Sequence, residues 1–348
     1  MTASGKLHRA DFLPPAGLRN PHVQSTLLSL SAWRLPVLQQ SRVLRAVAEP
    51  VILDCGDGVR LGGFASRQPR ADLSAPWVLL LHGWLGDAQS SYVLSLGAVL
   101  YAQGYNVFRL NLRDHGDTEH LNPGLFHSCL LDEVVGAVRA VQQRYHITDL
   151  SLAGFSLGGN FALRVAARAG HAGIRLRQVV AICPALNPHA SDAALAAGPA
   201  IYRHYFLSKW KQVLNSKQRL FPDRYEFGAL LRSRSITELT DILVQRHAGF
   251  SGVREYYDGY SLLGNTLRAL RVPSQVLIAQ DDPIVPAVDA QHLPDNPHLH
   301  LASSDHGGHC GFIASWSGRR WVNQWALDVL NSDATESAGA IVSATTGS

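Results

Sequence analysis

Ser156 is the residue whose type and setting most favour chemistry. It is the serine of a Gly-x-Ser-x-Gly pattern over 154–158, which follows a short apolar run over 149–153 and precedes a helix-like stretch over 159–167. A strand that turns abruptly into a helix strains the backbone of the serine and leaves room only for small neighbours, which the two glycines provide. The sequence therefore predicts that the Ser156 hydroxyl stands clear of a sheet as a nucleophile.

A serine hydroxyl needs help to react, because its proton is held too tightly at neutral pH. A base must lie within hydrogen-bond reach, and a third group must orient that base. With this kind of turn, the acid follows the serine along the chain and the histidine comes last.

Two adjacent aspartates compete for the role of the acid. Asp281 and Asp282 both follow a predicted strand over 274–279. In enzymes with this kind of serine turn, the acid usually lies three residues before a Val-Pro step. The step is at 285–286 here, and this favours Asp282. Asp281 would then cap the loop or accept hydrogen bonds from the turn backbone. The alternative is that both aspartates only form a turn.

The candidate bases lie in a glycine-rich loop after the last predicted strand. His306 and His309 occur there, and His309 is favoured because it comes just before the closing helix. Histidines three residues apart can also chelate a metal. No carboxylate or thiol set clearly joins them, however, and a metal site would leave Ser156 unexplained. A metal site is therefore the weaker interpretation of these two histidines.

Ester chemistry at a serine also needs N–H donors for the negative charge that develops on the carbonyl oxygen. One expected donor is the backbone N–H of Leu157, which follows the serine. The second is expected from the loop at 82–86, and the N–H of Trp84 is favoured there. His82 is expected to support this loop by hydrogen bonding. The competing interpretation is an ordinary turn at the end of a strand.

Alternating strands and helices must position these residues. This order predicts an α/β fold, with a mostly parallel sheet of eight strands and helices on both faces. Two of the strands form a hairpin around the turn at 56–58, which has suitable turn residues. The predicted strands cover 51–54, 59–62, 77–81, 105–110, 149–153, 178–183, 274–279 and 298–301.

Interruptions of this order define the domain organisation. We expect residues 1–348 to form one domain with an N-terminal extension over 1–45. Residues 187–260 contain aromatic, basic and helix-like pieces without a clear strand, and by fold analogy they form an inserted cap or lid. The last residues, 332–348, are small and polar and are expected to be disordered.

Composition favours a compact enzyme. Apolar residues make up 46% of the 348 residues and charged residues 17%, and the net charge is only +4. Nucleic-acid binding is therefore not expected. The N-terminus lacks the apolar region of a secretory signal, and no run of 18 apolar residues predicts a membrane span. The widely spaced cysteines predict free thiols in a reducing cytoplasm; they are Cys55, Cys129, Cys183 and Cys310.

Taken together, these motifs resemble the α/β-hydrolase superfamily over about residues 45–330. More narrowly, the chain is similar to the bacterial YheT-like hydrolases, whose eukaryotic relatives are the acylglycerol and phospholipid hydrolases of the ABHD1/ABHD2/ABHD3 group. An N-terminal Asn-Pro-His-Val-Gln segment and four later segments carry this narrower resemblance; the five cover 20–27, 154–160, 255–257, 281–283 and 307–312. Two loops depart from the family pattern, at Ser25-Thr26 and at Arg113-Asp114-His115.

The resemblance implies hydrolysis of carboxylic esters with short or medium acyl chains, or of acylglycerols, without a cofactor. The expected partner is a small-molecule or lipid-like ester, with no integral membrane association. Acyl transfer or thioester cleavage would use the same three residues. A non-catalytic ligand-binding protein is the third interpretation, but such proteins usually lose a member of the triad. Cap aromatics that could line an acyl pocket, or instead pack on one another, are Tyr202, Tyr205, Phe206, Trp210 and Phe221.

Overall fold

A nine-stranded sheet forms the centre of the molecule. The structure is a computed structural model that describes residues 8–27, 31–69 and 75–332. Along the sheet the strand order is β1-β9-β8-β7-β6-β4-β5-β3-β2. The strands are β1 (His8–Arg9), β2 (Ala48–Asp54), β3 (Arg60–Ser66), β4 (Trp77–Leu81), β5 (Asn106–Leu110), β6 (Leu150–Phe155), β7 (Leu176–Ile182), β8 (Ser274–Ala279) and β9 (Leu299–Ser304).

Most of the strands run parallel. Only the pairs β2–β3 and β3–β5 are antiparallel within the described chain, and every other pair is parallel. The helices are α1 (Pro21–Thr26), α2 (Ser31–Gln40), α3 (Arg42–Ala46), α4 (Ser91–Ala102), α5 (Leu131–Tyr145), α6 (Leu157–Ala172), α7 (Pro188–Ala197), α8 (Ala200–Leu220), α9 (Ile236–His247), α10 (Val253–Asp258) and α11 (Trp321–Asn331).

Two apolar layers sandwich the sheet. Alternate residues of a strand point to opposite faces, so Leu79 belongs to one layer and Leu80 to the other, and both are fully buried. Helices α5 and α6 supply the first layer, with residues such as Val134 and Phe161. Helices α4 and α11 supply the second layer. Because both faces are covered, the central strands are continuous apolar runs, which is why the sequence predicted them.

Strand β1 raises the number of strands from the expected eight to nine. His8 and Arg9, from the N-terminal extension, pair in parallel with Ala302 and Ser303 at the edge of the sheet. This strand has only two residues, too few to show an alternating apolar pattern. The extension therefore adds an edge strand and does not merely precede the sheet.

Residues 187–260 contain helices α7 to α10 and no strand. Their side chains form an apolar cluster of their own, which includes Leu214, Phe227 and Leu239. Within the described residues, no helix is long and apolar enough to cross a bilayer. The expected disorder of 332–348 concerns residues that, apart from Ser332, lie outside the described ranges.

Candidate active site

Ser156 occupies the joint between β6 and α6. Its backbone has φ 53° and ψ −119°, a conformation that costs a non-glycine residue about 1–3 kcal/mol. Local hydrogen bonds stabilise the turn: the Ser156 N–H donates to Ile182 O at 2.9 Å, and its carbonyl accepts from Asn160 N at 3.0 Å. The hydroxyl makes no capping bond to α6 and remains available for other partners.

The glycines around Ser156 are required by close backbone contacts. A Cβ atom on Gly154 would overlap the carbonyl of Gly158, and one on Gly158 would overlap the carbonyls of Leu81 and His82. Any larger residue would push the start of α6 away from the sheet. The Gly-x-Ser-x-Gly pattern is thus explained by packing at this turn.

The structure brings Ser156, His309 and Asp282 together. His309 Nε2 lies 2.9 Å from Ser156 Oγ, and His309 Nδ1 lies 2.9 Å from Asp282 Oδ2. The other oxygen of Asp282 accepts hydrogen bonds from the N–H groups of Ile284 and Val285, at 2.8 and 2.9 Å. With both carboxylate oxygens engaged, Asp282 is fixed in orientation and fixes the imidazole in turn.

Electrostatics favour a proton on His309. Burial lowers the pKa of the imidazole, since its side chain is only 13% exposed. The Asp282 carboxylate and the neighbouring Cys310 sulfur outweigh burial and raise the pKa to about 9. A histidine held in this way can accept a proton from a hydroxyl and keep it while a reaction proceeds.

The competing residues Asp281 and His306 lie beside this line of contacts and do not contact Ser156. Asp281 Oδ1 accepts a hydrogen bond from Gly308 N at 2.8 Å, and its other oxygen lies 3.6 Å from His306 Nδ1. Burial raises the pKa of Asp281. Asp281 thus tethers the loop that carries His309, close to the loop-capping role considered for it.

Both expected oxyanion donors are available. Within the described chain, the N–H groups of Trp84 and Leu157 have no protein acceptor. The loop that carries Trp84 passes close to the serine, since a Cβ atom on Gly83 would lie 3.2 Å from Ser156 Cβ. Two N–H groups without a protein acceptor, close to a serine hydroxyl, are suited to holding an oxyanion.

Two buried histidines hold this loop in place. His82 Nε2 accepts from Leu112 N at 3.1 Å, and His115 Nε2 accepts from Leu85 N at 3.1 Å. Burial lowers the pKa of His82 to about 4 and of His115 to about 3. Both imidazoles are therefore neutral, as acceptors must be. The supporting position of His82 matches its expected role, whereas His115 was noted in the sequence only as part of a loop that departs from the family pattern.

A cavity of about 630 Å³ opens at Ser156 and His309. Its wall is mainly apolar and includes side chains from α8. Of the five aromatic residues considered from the sequence for an acyl pocket, Phe221 does not line the cavity and packs instead beside the buried Lys217. The four that do line it are Tyr202, Tyr205, Phe206 and Trp210.

Helix α8 contacts the loop that carries the expected oxyanion donor. The rings of Phe206 and Trp84 stack with their centroids 5.3 Å apart and their planes 12° apart. Lys209 Nζ donates to the carbonyl of Leu85 at 3.2 Å. Residues of the 187–260 segment thus form one wall of the cavity above Ser156.

Sequence reasoning did not find the contact between α1 and the His309 loop. Ser25 Oγ accepts a hydrogen bond from His309 N at 2.8 Å. The N-terminal segment was noticed only through its family resemblance, and nothing in its spacing indicated this contact. No group of three possible metal ligands occurs among the described residues.

Comparisons with known proteins agree with this architecture. A family model for the alpha/beta hydrolase fold matches residues 76–315. The chain is 24% identical to YheT of Escherichia coli (strain K12) over 310 residues, covering 87% of each chain. It is 22% identical to phospholipase ABHD3 of Homo sapiens over 242 residues, which span 68% of this chain and 59% of that protein.

Among solved structures, esterase Pf2001 of Pyrococcus furiosus superposes with a TM-score of 0.51. The sequences are 16% identical, and the match covers 81% of this chain and 90% of that one. At this identity the likeness shows the fold alone. The family match and the relatives confirm the expected fold and the resemblance to YheT-like hydrolases. The chain belongs to the α/β-hydrolase fold family.

Proposed function

We propose that this protein is a serine esterase that cleaves carboxylic esters through a covalent acyl-enzyme. The observation that carries the proposal is the pair of 2.9 Å contacts from Ser156 through His309 to Asp282, at the floor of an apolar cavity. A nucleophile, a base and an orienting acid in this order are the parts that acyl transfer requires.

In the first step, Ser156 Oγ attacks the carbonyl carbon of the ester. His309 Nε2 takes the hydroxyl proton, and Asp282 stabilises the resulting imidazolium without accepting its proton. The N–H groups of Trp84 and Leu157 hold the oxyanion, and each such donor is typically worth about 3 kcal/mol of the barrier. His309 then gives its proton to the leaving alcohol, and the acyl group stays on Ser156.

In the second step, water enters and His309 removes one of its protons. The hydroxide equivalent attacks the acyl carbonyl, and a second oxyanion forms against the same two N–H groups. When it collapses, the carboxylic acid leaves and Ser156 recovers its proton from His309. The neutral form of His309 is thus required at the start of both steps.

The cavity supports an acyl group of short or medium length, or an acylglycerol, as the substrate. Its aromatic wall from α8 offers apolar contact beside the reacting serine, and we infer that residues 187–260 act as a cap over the site. The human relative is named a phospholipase, and this name supports a lipid-like substrate. Acyl transfer and thioester cleavage would use the same residues, and product analysis separates them from hydrolysis.

The test is a p-nitrophenyl ester series from acetate to decanoate, run beside monoacylglycerols, together with a fluorophosphonate probe. We expect turnover with release of free acid, and labelling of the wild-type protein at Ser156. The Ser156→Ala variant should show neither ester turnover nor labelling. Labelling at another residue would refute the site, and a folded protein that turns over none of these esters would favour a non-catalytic binding role.

A further inference from the structure

We propose that Ser25 is a positioning residue for His309, fixing the main chain of the histidine so that its imidazole stays between Ser156 and Asp282. This inference rests on the proposed function, because it concerns the base of that reaction. It gives the N-terminal segment a part in the active site although none of its residues belongs to the triad.

Two short hydrogen bonds orient the hydroxyl of Ser25, which also lies beside Tyr202. A hydroxyl has one proton to donate, and Ser25 Oγ gives it to the carbonyl of Pro21, four residues earlier, at 2.7 Å. The oxygen is then left to accept, and it accepts from His309 N at 2.8 Å. The hydroxyl therefore acts as a fixed acceptor aimed at the backbone of the histidine.

Helix α1, which carries Ser25, is itself firmly docked. Asn20 caps it by accepting from the N–H groups of His22 and Val23, at 2.9 and 3.2 Å. Gln24 is only 1% exposed, and its amide accepts from Ile313 N at 2.6 Å and donates to Ile313 O at 3.1 Å. The serine is thus presented from a short helix that is capped by Asn20 and anchored to the chain at Ile313, four residues after His309.

The loop that carries His309 needs such support. Cys310 and Phe312 have φ values of 62° and 48°, and each left-handed non-glycine residue costs about 1–3 kcal/mol. A Cβ atom on Gly308 would overlap Pro21 O and lie 2.7 Å from Ser25 Oγ, so α1 and the loop are in direct contact. Contacts from outside the loop must hold this strained conformation.

Other outside contacts engage the neighbouring peptides. Asp281 accepts from Gly308 N, and Arg320 donates to the carbonyls of Cys310 and Gly311. Ser25 differs from them because its bond is to the N–H of His309 itself. Loss of the hydroxyl would free the peptide that precedes the imidazole, and a displacement of about 1 Å in a catalytic group can cost about 100-fold in rate.

Ser25→Ala tests the proposal, with Ser41→Ala as the matched control. The Ser41 hydroxyl also donates to the carbonyl four residues earlier, that of Val37, at 2.7 Å, but it does not contact the His309 loop. Three quantities are measured for each protein: the melting temperature, the rate of fluorophosphonate labelling of Ser156 as a function of pH, and kcat and KM on the best ester.

For Ser25→Ala we expect labelling and kcat to fall about 10- to 100-fold, with KM within about twofold of the wild type. The midpoint of the acid limb of the labelling profile should move to lower pH, since the imidazole is held less closely to Asp282. Ser41→Ala should label at the wild-type rate, and Ser25→Thr, which keeps an acceptor oxygen, should restore most of the rate.

Equal labelling rates and acid limbs in Ser25→Ala and the wild type would overturn the positioning role while leaving the esterase proposal intact. A wild-type protein that does not label at Ser156 would instead refute the proposed function, and this inference with it. Should Ser25→Ala fail to fold, the pair Ser25→Thr and Ser25→Val gives the same comparison. These two side chains have nearly the same shape, and only threonine has the acceptor.

Discussion

Lys217 of helix α8 and Asp114 of the loop after β5 form an ion pair with a nitrogen–oxygen distance of 2.6 Å, and their side chains are 0% and 1% exposed. The ammonium group also donates to the carbonyl oxygens of Glu119 and Asn122, and the other Asp114 oxygen accepts from Phe126 N. Helix α8, the longest helix of the 187–260 segment, is therefore held against the loop after β5 by a buried ammonium group with several acceptors.

Replacing Lys217 by methionine is expected to destabilise the protein strongly. The change leaves the Asp114 carboxylate buried without its counter-charge, and breaking such a pair costs about 3–5 kcal/mol. Denaturation in urea measures the loss. The double variant Lys217→Met/Asp114→Asn should recover part of it, because the uncompensated charge is gone.

The exposed pair Arg67–Glu49 provides the control, since its side chains are 53% and 59% exposed. Arg67→Met should cost less than about 1 kcal/mol. If Lys217→Met were no more destabilising than Arg67→Met, the buried pair would not be what anchors α8.

The adjacent aspartates should respond very differently to the same substitution. Asp282→Asn removes the charge beside His309 and allows the wrong imidazole tautomer, so kcat should fall by about 10⁴-fold. Asp281→Asn keeps an acceptor for Gly308 N, and we expect a loss of less than about tenfold. Steady-state kinetics on one p-nitrophenyl ester separates the two. Equal losses would mean that the choice between the aspartates is wrong.

Esterase activity should be highest at alkaline pH. His309 must be neutral to take the serine proton, and its pKa is raised to about 9, so kcat/KM should rise with pH along a limb centred above the ordinary value of about 6.5. In Asp282→Asn, burial acts without the opposing carboxylate, and the limb should move to lower pH. A limb at or below pH 6.5 in the wild type would contradict the electrostatic account.

Phe206→Ala should shift the preference towards longer acyl chains. The ring stacks on Trp84 and forms part of the cavity wall, so its removal opens space for more methylene groups. Each buried methylene contributes about 0.8 kcal/mol, and the ratio of kcat/KM for decanoate over acetate should rise about 3- to 10-fold.

Phe221→Ala is the control for this change, because Phe221 lies outside the cavity wall. It should lower the melting temperature and leave the decanoate-to-acetate ratio unchanged. A shift of the ratio in both variants would indicate a general loosening of α8 and not a change in the pocket.

Local signals made much of the architecture predictable. The buried strands are apolar runs, and the hairpin of β2 and β3 has glycines at its turn, so both were visible in the sequence. The choice of Asp282 followed from its spacing to the Val-Pro step, and that of His309 from its place before the closing helix, within the chain order of serine, acid and histidine. The structure does bring these two residues together with Ser156.

The remaining features depend on contacts between distant segments. Ser25 and His309 are 284 residues apart, and no local pattern encodes their hydrogen bond. Lys217 is one basic residue in a basic, aromatic stretch, and only the folded chain shows that it is buried against Asp114. The unusual aspartate at 114 did mark a departure from the family pattern, but its partner could not be inferred from spacing.

The pairing of His8 and Arg9 with Ala302 and Ser303 has a consequence for biogenesis. Strand β1 cannot pair until β9, the last strand of the described chain, has been synthesised, so this edge of the sheet forms late. Closing so long a segment is slow compared with local pairing. A chain that ends before β9 lacks this strand partner and also His309, so it should be inactive even when Ser156 is already in its turn.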